Sequence, residues 1–365
     1  MNRQRRLPIC LSAFVAFLCA LSFGLLAGCY SFGPEQIRGS HPLYNAAVVD
    51  AGNEQLLNNL VRLRYRDPTA FLDISSIAST TKLTFSANAN GEFSGSDSGF
   101  LGLGGTYETY PTISYAPLQG EDFSKRLLSP ISTRDLLSLT RSGWSLRRVF
   151  GICVEEINDI PNAPSASGPT PQKAPNQYDS WNRLAVLLDR VHDANLIKAH
   201  EDESGRVVLE IKPEARNNPD MLALKRRLGL SLSKDQYPVI ETNTTHNEST
   251  VTVLTRPLMS TLFYLSHHID VPAADKNRGL VTLTKTKQGI PFDWQQTPAG
   301  QLFHIQVAES RPDDAFIATP YRDHWFYIAD DDLESKSTFL LLTQLFRLQA
   351  GATKTPGPTL TLPVR

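Results

Sequence analysis

Lys82-Leu83-Thr84-Phe85-Ser86-Ala87-Asn88-Ala89-Asn90 alternates without a break. Every odd position is apolar and every even one polar. A period of two marks a half-buried β-strand, because successive side chains of an extended chain point to opposite faces. The change to this period begins near Thr69. Residues 91–105 then bring glycine at 91, 95, 99, 102, 104 and 105, among serines. Strand character resumes over Thr106–Tyr115, with Tyr107, Tyr110, Ile113 and Tyr115. Together these segments predict one long β-hairpin over 69–117 with a glycine-rich tip.

The hairpin has two readings. Membrane strands need about 9–11 residues, and both arms are long enough. One hairpin cannot close a barrel, so several copies would each have to contribute one. Leu83, Phe85, Tyr107, Tyr110, Ile113 and Tyr115 are then its membrane or oligomer contacts. The other reading is a soluble antiparallel sheet packed on the preceding helix, since Leu83, Phe85, Ala87 and Ala89 make a thin face for lipid.

That preceding helix is expected over Asn45–Tyr65. Val49, Leu56, Leu57, Leu60, Val61 and Leu63 recur at mostly three- and four-residue spacing. Pro68 is expected to stop it, with Asp67 forced out of the helical region. Arg62, Arg64 and Arg66 cluster at its C-terminal end, where cations suit the helix dipole. Their alternative role is an anion site or a partner contact.

After the hairpin, short helices are expected over Glu121–Leu128, Ser132–Leu139 and Trp144–Ile157. Residues 161–178 hold Pro161, Pro164, Pro169, Pro171 and Pro175 and read as a linker or loop. A second mixed region, 179–350, follows. Helices are expected over Asp179–Ala199 and Asp220–Leu228 and from Pro257 to His268. Strands are expected over Arg206–Ile211, Val251–Leu254, Leu302–Val307, Ala315–Thr319 and Trp325–Ile328. A last helix, Leu333–Gln349, is apolar around much of its circumference and should be central core or a subunit interface. Residues 351–365 form a proline-punctuated extended tail. The fold class is α+β: an N-terminal helix, a long hairpin and short helices over 45–160, then a helix-and-strand region closed by a core helix.

The N-terminus reads differently. Arg3, Arg5 and Arg6 precede an apolar run over 7–27. A charged start, an apolar middle and a small-residue exit describe a secretory signal over 1–28. A transmembrane anchor is the alternative, since about 20 apolar residues can span a bilayer. Residues 29–44, with Gly33, Pro34, Gly39 and Pro42, read as a tether. The chain carries 36 Lys+Arg and 37 Asp+Glu. The first 28 residues hold three of the arginines and no acid, so the remainder sets 33 basic against 37 acidic groups, a net charge of −4. No basic face for nucleic acid is expected. Beyond Cys29 the only cysteine is Cys153, which excludes an internal disulfide and suits a core thiol.

No catalytic pattern stands out. There is no Gly-x-Ser-x-Gly elbow. Gly102-Leu103-Gly104-Gly105 lacks the Lys-Ser/Thr pair of a phosphate loop. His267 and His268 are adjacent, so on a helix they diverge by about 100°. His192 and His200 are too far apart in sequence for a zinc helix. Asp330-Asp331-Asp332 lacks the glycine of a calcium loop and suits a helix N-terminus. Neither a metal nor a cofactor is expected.

Leu26-Ala27-Gly28-Cys29 resembles the lipobox of bacterial lipoproteins. The resemblance implies a diacylglycerol on the Cys29 thiol, cleavage between Gly28 and Cys29, and acylation of the new amine. Tyr30 stands where aspartate often retains such proteins at the inner membrane, which implies the outer membrane, facing the periplasm. Asn59–Pro68, Pro111–Gly120, Trp325–Lys336 and Leu360–Pro363 resemble a set of proteobacterial lipoproteins of unknown function. That likeness covers most of the mature chain and carries no activity across. The expected partners are the membrane, through Cys29, and a second copy or another envelope protein. The expected role is structural, assembly or binding, with an oligomeric pore or export component as the alternative and a periplasmic hydrolase third.

Overall fold

The computed structural model describes residues 41–90, 100–169, 178–241 and 247–350. Gly28, Cys29, the 351–365 tail and residues 91–99 of the hairpin tip lie outside them. The chain divides into two compact units, residues 1–52 and 53–365. The described part of the first, 41–52, is helical, so residues 41–44 are helix rather than tether.

Helix α1 runs over 41–64. In the second unit its Leu56, Leu57, Leu60 and Val61 are buried, the stripe their spacing predicts. The helix does not wait for Pro68 to end. Arg66 takes a left-handed φ of 63°, and the Asp67 N–H reaches back to the Arg62 carbonyl at 2.8 Å. The Arg66 N–H donates to the Leu63 carbonyl at 3.1 Å. This is a Schellman closure with arginine in the position glycine usually takes.

Strands β1 (Leu72–Asn90) and β2 (Phe100–Pro117) pair antiparallel as a separate two-stranded sheet. Phe100–Gly105, expected in the tip, belong to β2 and pair with Phe85–Asn90. Glycine there serves close approach rather than a turn. A Cβ on Gly104 would meet the Ser86 hydroxyl at 2.8 Å.

Helices α2 (Glu121–Leu128), α3 (Thr133–Arg141) and α4 (Leu146–Cys153) follow. Ser132 caps α3 and Ser145 caps α4 through their side chains. The helix expected over Trp144–Ile157 breaks at Cys153, and Val154–Ile157 become strand β3. Its partner, β8 (Val251–Thr255), lies about a hundred residues on and decides the outcome.

With β4 (Ile160–Pro161), β5 (Ile197–Glu201), β6 (Val207–Ile211) and β7 (Gln236–Glu241) these strands form a six-stranded sheet, ordered β4-β3-β8-β7-β6-β5. Only β7–β8 is parallel. The sheet takes strands from both sides of the proline-rich 161–178 stretch, of which Pro161 belongs to β4, Tyr178 opens the next helix and residues 170–177 lie outside the described residues. Helix α5 (Tyr178–Asp193) ends before residues 197–199, expected as its continuation, turn into β5. Asn195 in the left-handed region closes it, with the Leu196 N–H reaching the Val191 carbonyl at 3.0 Å.

Helices α6 (Pro219–Arg227), α7 (Leu258–Ser266) and α8 (Ala273–Asn277) lead to a three-stranded antiparallel sheet. Its strands are β9 (Gln306–Ala308), β10 (Ala315–Tyr321) and β11 (His324–Ala329). Leu302–Ile305, expected in strand, precede it. Helix α9 (Leu333–Ala350) is capped by Asp332, whose carboxylate accepts from the Ser335 N–H at 3.0 Å. The acidic triplet is thus a helix start. Phe339, Leu341, Leu342 and Leu345 are buried, but Leu340 and Leu348 are each 54% exposed, so α9 has a stripe rather than an all-round apolar surface.

Arg256 pins the loop after β4. It is fully buried, with its guanidinium 4.2 Å from the Tyr264 ring centroid. It donates to the carbonyls of Ile152, Val154 and Asn162 and to the Ser167 hydroxyl. Ser167 in turn donates to Glu155 at 3.0 Å. Four acceptors satisfy a buried cation and tie α4, β3 and residues 162–167 into one piece.

Candidate functional site

The hairpin formed by β1 and β2 is the feature least explained by the packing of the body. Strands of 19 and 18 residues at about 3.3 Å per residue make a ladder roughly 60 Å long. No third strand joins it among the described residues. Both outer edges therefore carry backbone groups without ladder partners, a feature soluble proteins normally avoid at this length.

Its root is held with care. Gln55 and Asn59 are one helical turn apart on α1. The Asn59 side chain donates to the Ala70 carbonyl at 2.8 Å and accepts from the Ala70 N–H at 3.0 Å. The Gln55 side chain does the same to Leu72, at 3.0 and 2.8 Å. Two amide side chains thus imitate a neighbouring strand where the hairpin leaves the body. Phe71, between these positions, is buried against Phe346 and Phe123, with centroids at 4.8 and 5.9 Å. On the return strand, the Leu118 N–H donates to the Phe71 carbonyl at 2.8 Å.

The register sorts the residues of the arm. Ile77 faces Ile113, Leu83 faces Tyr107, Phe85 faces Gly105, Ala87 faces Leu103 and Ala89 faces Leu101. By the alternation of an extended chain these pairs, with Tyr115, share one side. No Asp, Glu, Lys, Arg or His falls on that side between Ile77 and Ala89 or between Leu101 and Tyr115, and its polar members are Ser79, Thr81, Thr109 and the tyrosines. The opposite side brings together Lys82 and Glu108, Thr84 and Thr106, Ser86 and Gly104, and Asn88 and Gly102. Of the six residues expected as contacts, Leu83, Phe85, Tyr107, Ile113 and Tyr115 fall on the uncharged side. Tyr110 falls on the polar one, where its hydroxyl donates to Glu108 at 2.6 Å. Ile113 and Tyr115 are 42% and 57% exposed, so the body does not cover this side near the root.

The three arginines of α1 do not converge. Arg62 donates to the Asn58 side chain at 2.9 Å and to the Pro68 carbonyl at 3.2 Å, and lies over the Tyr321 ring. Arg64 is buried and donates to the Thr282 carbonyl at 3.2 Å. Burial lowers its pKa to about 10. Arg66 is exposed at the helix closure.

Elsewhere the described residues hold no constellation with accessible reactivity. No group of three His, Cys, Asp or Glu side chains among them is arranged to hold a metal. Cys153 is wholly buried, and burial pushes its thiol up to about 12. His268 lies 2.8 Å from the Thr297 hydroxyl, yet both are sealed in the core. His267 stacks on Trp294 at 4.6 Å. Burial depresses His267 to about 3 and His268 to about 4. The clamp at the root went unseen in the sequence because glutamine and asparagine at four-residue spacing carry no signal of their own; only the neighbouring strand gives them meaning.

No protein-family model, curated protein or solved structure matches the chain.

Proposed function

We propose that the chain is a lipid-anchored outer-membrane protein, facing the periplasm, whose hairpin arms from several copies combine into one transmembrane β-barrel serving as a pore or export conduit. The observation that carries this reading is the register of β1 and β2, which separates an uncharged side from a polar one along the arm. Such a ladder fits lipid outside and water inside. The uncharged stretch from Ile77 to Ala89 is roughly 40 Å along the strand, or about 30 Å across a bilayer at the usual tilt. Two open edges per arm are what a closed ring of arms would use up. Lys82 and Glu108 would then line the lumen.

The lipid on Cys29 belongs to the same reading. It keeps the protein at the membrane, and three acyl chains, at about 0.8 kcal/mol per buried CH₂, anchor it permanently. Extraction in mild detergent followed by mass determination and planar-bilayer recording tests the proposal. A ring of copies with stable conductance is expected; a monomer without conductance contradicts it. A second reading, an arm that binds an envelope partner in the periplasm, draws on the exposed Tyr110 and Tyr115, 55% and 57% accessible. It expects a crosslinked partner on the arm and no conductance.

A further inference from the structure

The body contains a hollow that the arm does not use. It has a volume of about 320 Å³ and lies between α3, α4, α5 and the face of the six-stranded sheet. Leu137, Phe150, Leu188, Leu209, Val239 and Val253 are among its walls. It is partly open to solvent and its walls are mainly apolar, so it is an accessible apolar pocket rather than a sealed packing defect. It falls at the small end of ligand pockets, ~300–1,000 Å³, which fits one chain-like molecule rather than two.

Its rim is chemically one-sided. Of the residues lining the hollow, only Arg141, His192 and Lys198 are exposed, and no Asp or Glu lines it. Nearby acids are accounted for. Asp193 lies 3.7 Å from His192, and Glu210 is the register partner of Lys198 and lies 3.6 Å from His200. Arg141 stands apart. It donates to the Ala199 carbonyl at 3.1 Å and, among the described residues, has no carboxylate within 4.0 Å. A planar guanidinium at the mouth of an apolar hollow is suited to a carboxylate.

We propose that this hollow binds a single-chain fatty acid, with the acyl chain among the leucines and valines and the carboxylate on Arg141. The site lies in the body and does not depend on what the arm does. Its recognition divides into two parts: chain length is limited by the volume, and the acid is selected over neutral analogues by Arg141.

The test uses the full mature chain carrying Cys29→Ser, so that neither its own acyl chains nor detergent competes. The probe is 11-(dansylamino)undecanoic acid, and the readout is its fluorescence and displacement. Dodecanoate is expected to displace it at least tenfold more tightly than dodecanol. Arg141→Gln should remove that preference while leaving dodecanol unchanged. Val253→Trp, which fills the hollow, should abolish both, with the circular dichroism spectrum and unfolding midpoint reporting whether the variant folds. Should Val253→Trp fail to fold, Leu137→Phe narrows the hollow by a smaller amount and should weaken both ligands. Dodecanol binding as tightly as dodecanoate would overturn the role of Arg141. Undiminished probe binding in a folded filling variant would overturn the site, as would no probe binding to the parent chain.

Discussion

Asn59 and Ala70 exchange two hydrogen bonds, the side-chain amide of one matching the peptide group of the other at 2.8 and 3.0 Å. Asn59 is 2% exposed while Ala70 is at the surface, so both bonds are partly shielded from water. Ala70 is exposed, so replacing Asn59 with alanine leaves its peptide groups to water, and the loss is the net worth of two part-buried hydrogen bonds, about 0.5–1.5 kcal/mol each. Asn59→Ala should therefore lower stability by roughly 1–3 kcal/mol in urea unfolding. Gln55→Ala, at a solvated pair, should cost about 0.5–1.5 kcal/mol. Hydrogen exchange at the Ala70 amide gives the local check: it should accelerate in Asn59→Ala far more than amides in α7.

Arg66 closes α1 with a left-handed backbone that a side chain disfavours by about 1–2 kcal/mol. Arg66→Gly should raise stability by up to about 1 kcal/mol, because glycine takes this conformation without steric cost but is freer in the unfolded chain. A β-branched Arg66→Val should move the unfolding midpoint the other way. Equal midpoints for the two variants would contradict the assignment of the closure.

His267 and His268 give the fold a pH dependence whose sign follows from burial. In the unfolded chain both titrate near their ordinary value of about 6.5. In the fold they are held at about 3 and about 4 by burial, with the positive charge of Arg64 adding to the effect. Between pH 6.5 and 4 the unfolded chain binds protons that the native chain does not, so stability falls as pH falls. Each histidine contributes at most about 1.4 kcal/mol per pH unit. His304 acts in the opposite sense. Asp270, 3.0 Å away, raises its pKa, which adds stability below pH 6.5 that is lost as pH rises through the raised value. That pair is 34% and 51% exposed and is screened by solvent, so the two buried rings dominate. The urea midpoint should be clearly lower at pH 5 than at pH 7.5, and His267→Phe should flatten the difference. A midpoint unchanged over that range would contradict the burial of these rings as neutral species.

The legible parts of this chain were those with local cause. The hairpin could be read because Leu83 to Ala89 alternates in period two. Helix α2 and the capped start at Asp332 could be read because their signals lie within a few residues of the element. The break at Cys153 could not, since Val154–Ile157 are strand only because Val251–Thr255 lie beside them. The end of α5 did carry a signal, Asn195 before Leu196, but the apolar residues beyond it disguised the stop. At the site, the residues of the arm could be named from their pattern, and the even position of Tyr110 already sets it apart from Tyr107, Ile113 and Tyr115, while which residues of the two strands face each other needed the register. The fatty-acid hollow was invisible in sequence, because its walls run from Thr133 to Val253 and only the packed sheet and helices bring them together.

The most direct test of the membrane-spanning arm is residue-by-residue environment mapping. Cys153 is buried and Cys29 is acylated in this account, so single cysteines placed along 82–89 can be labelled with the polarity-sensitive dye NBD in the otherwise unaltered protein. Emission should alternate in lipid vesicles: blue-shifted and quenched by lipid-borne nitroxides at 83, 85, 87 and 89, and water-like at 82, 84, 86 and 88. Water-like emission at all eight positions, with no lipid quenching, would contradict a hairpin that enters the bilayer.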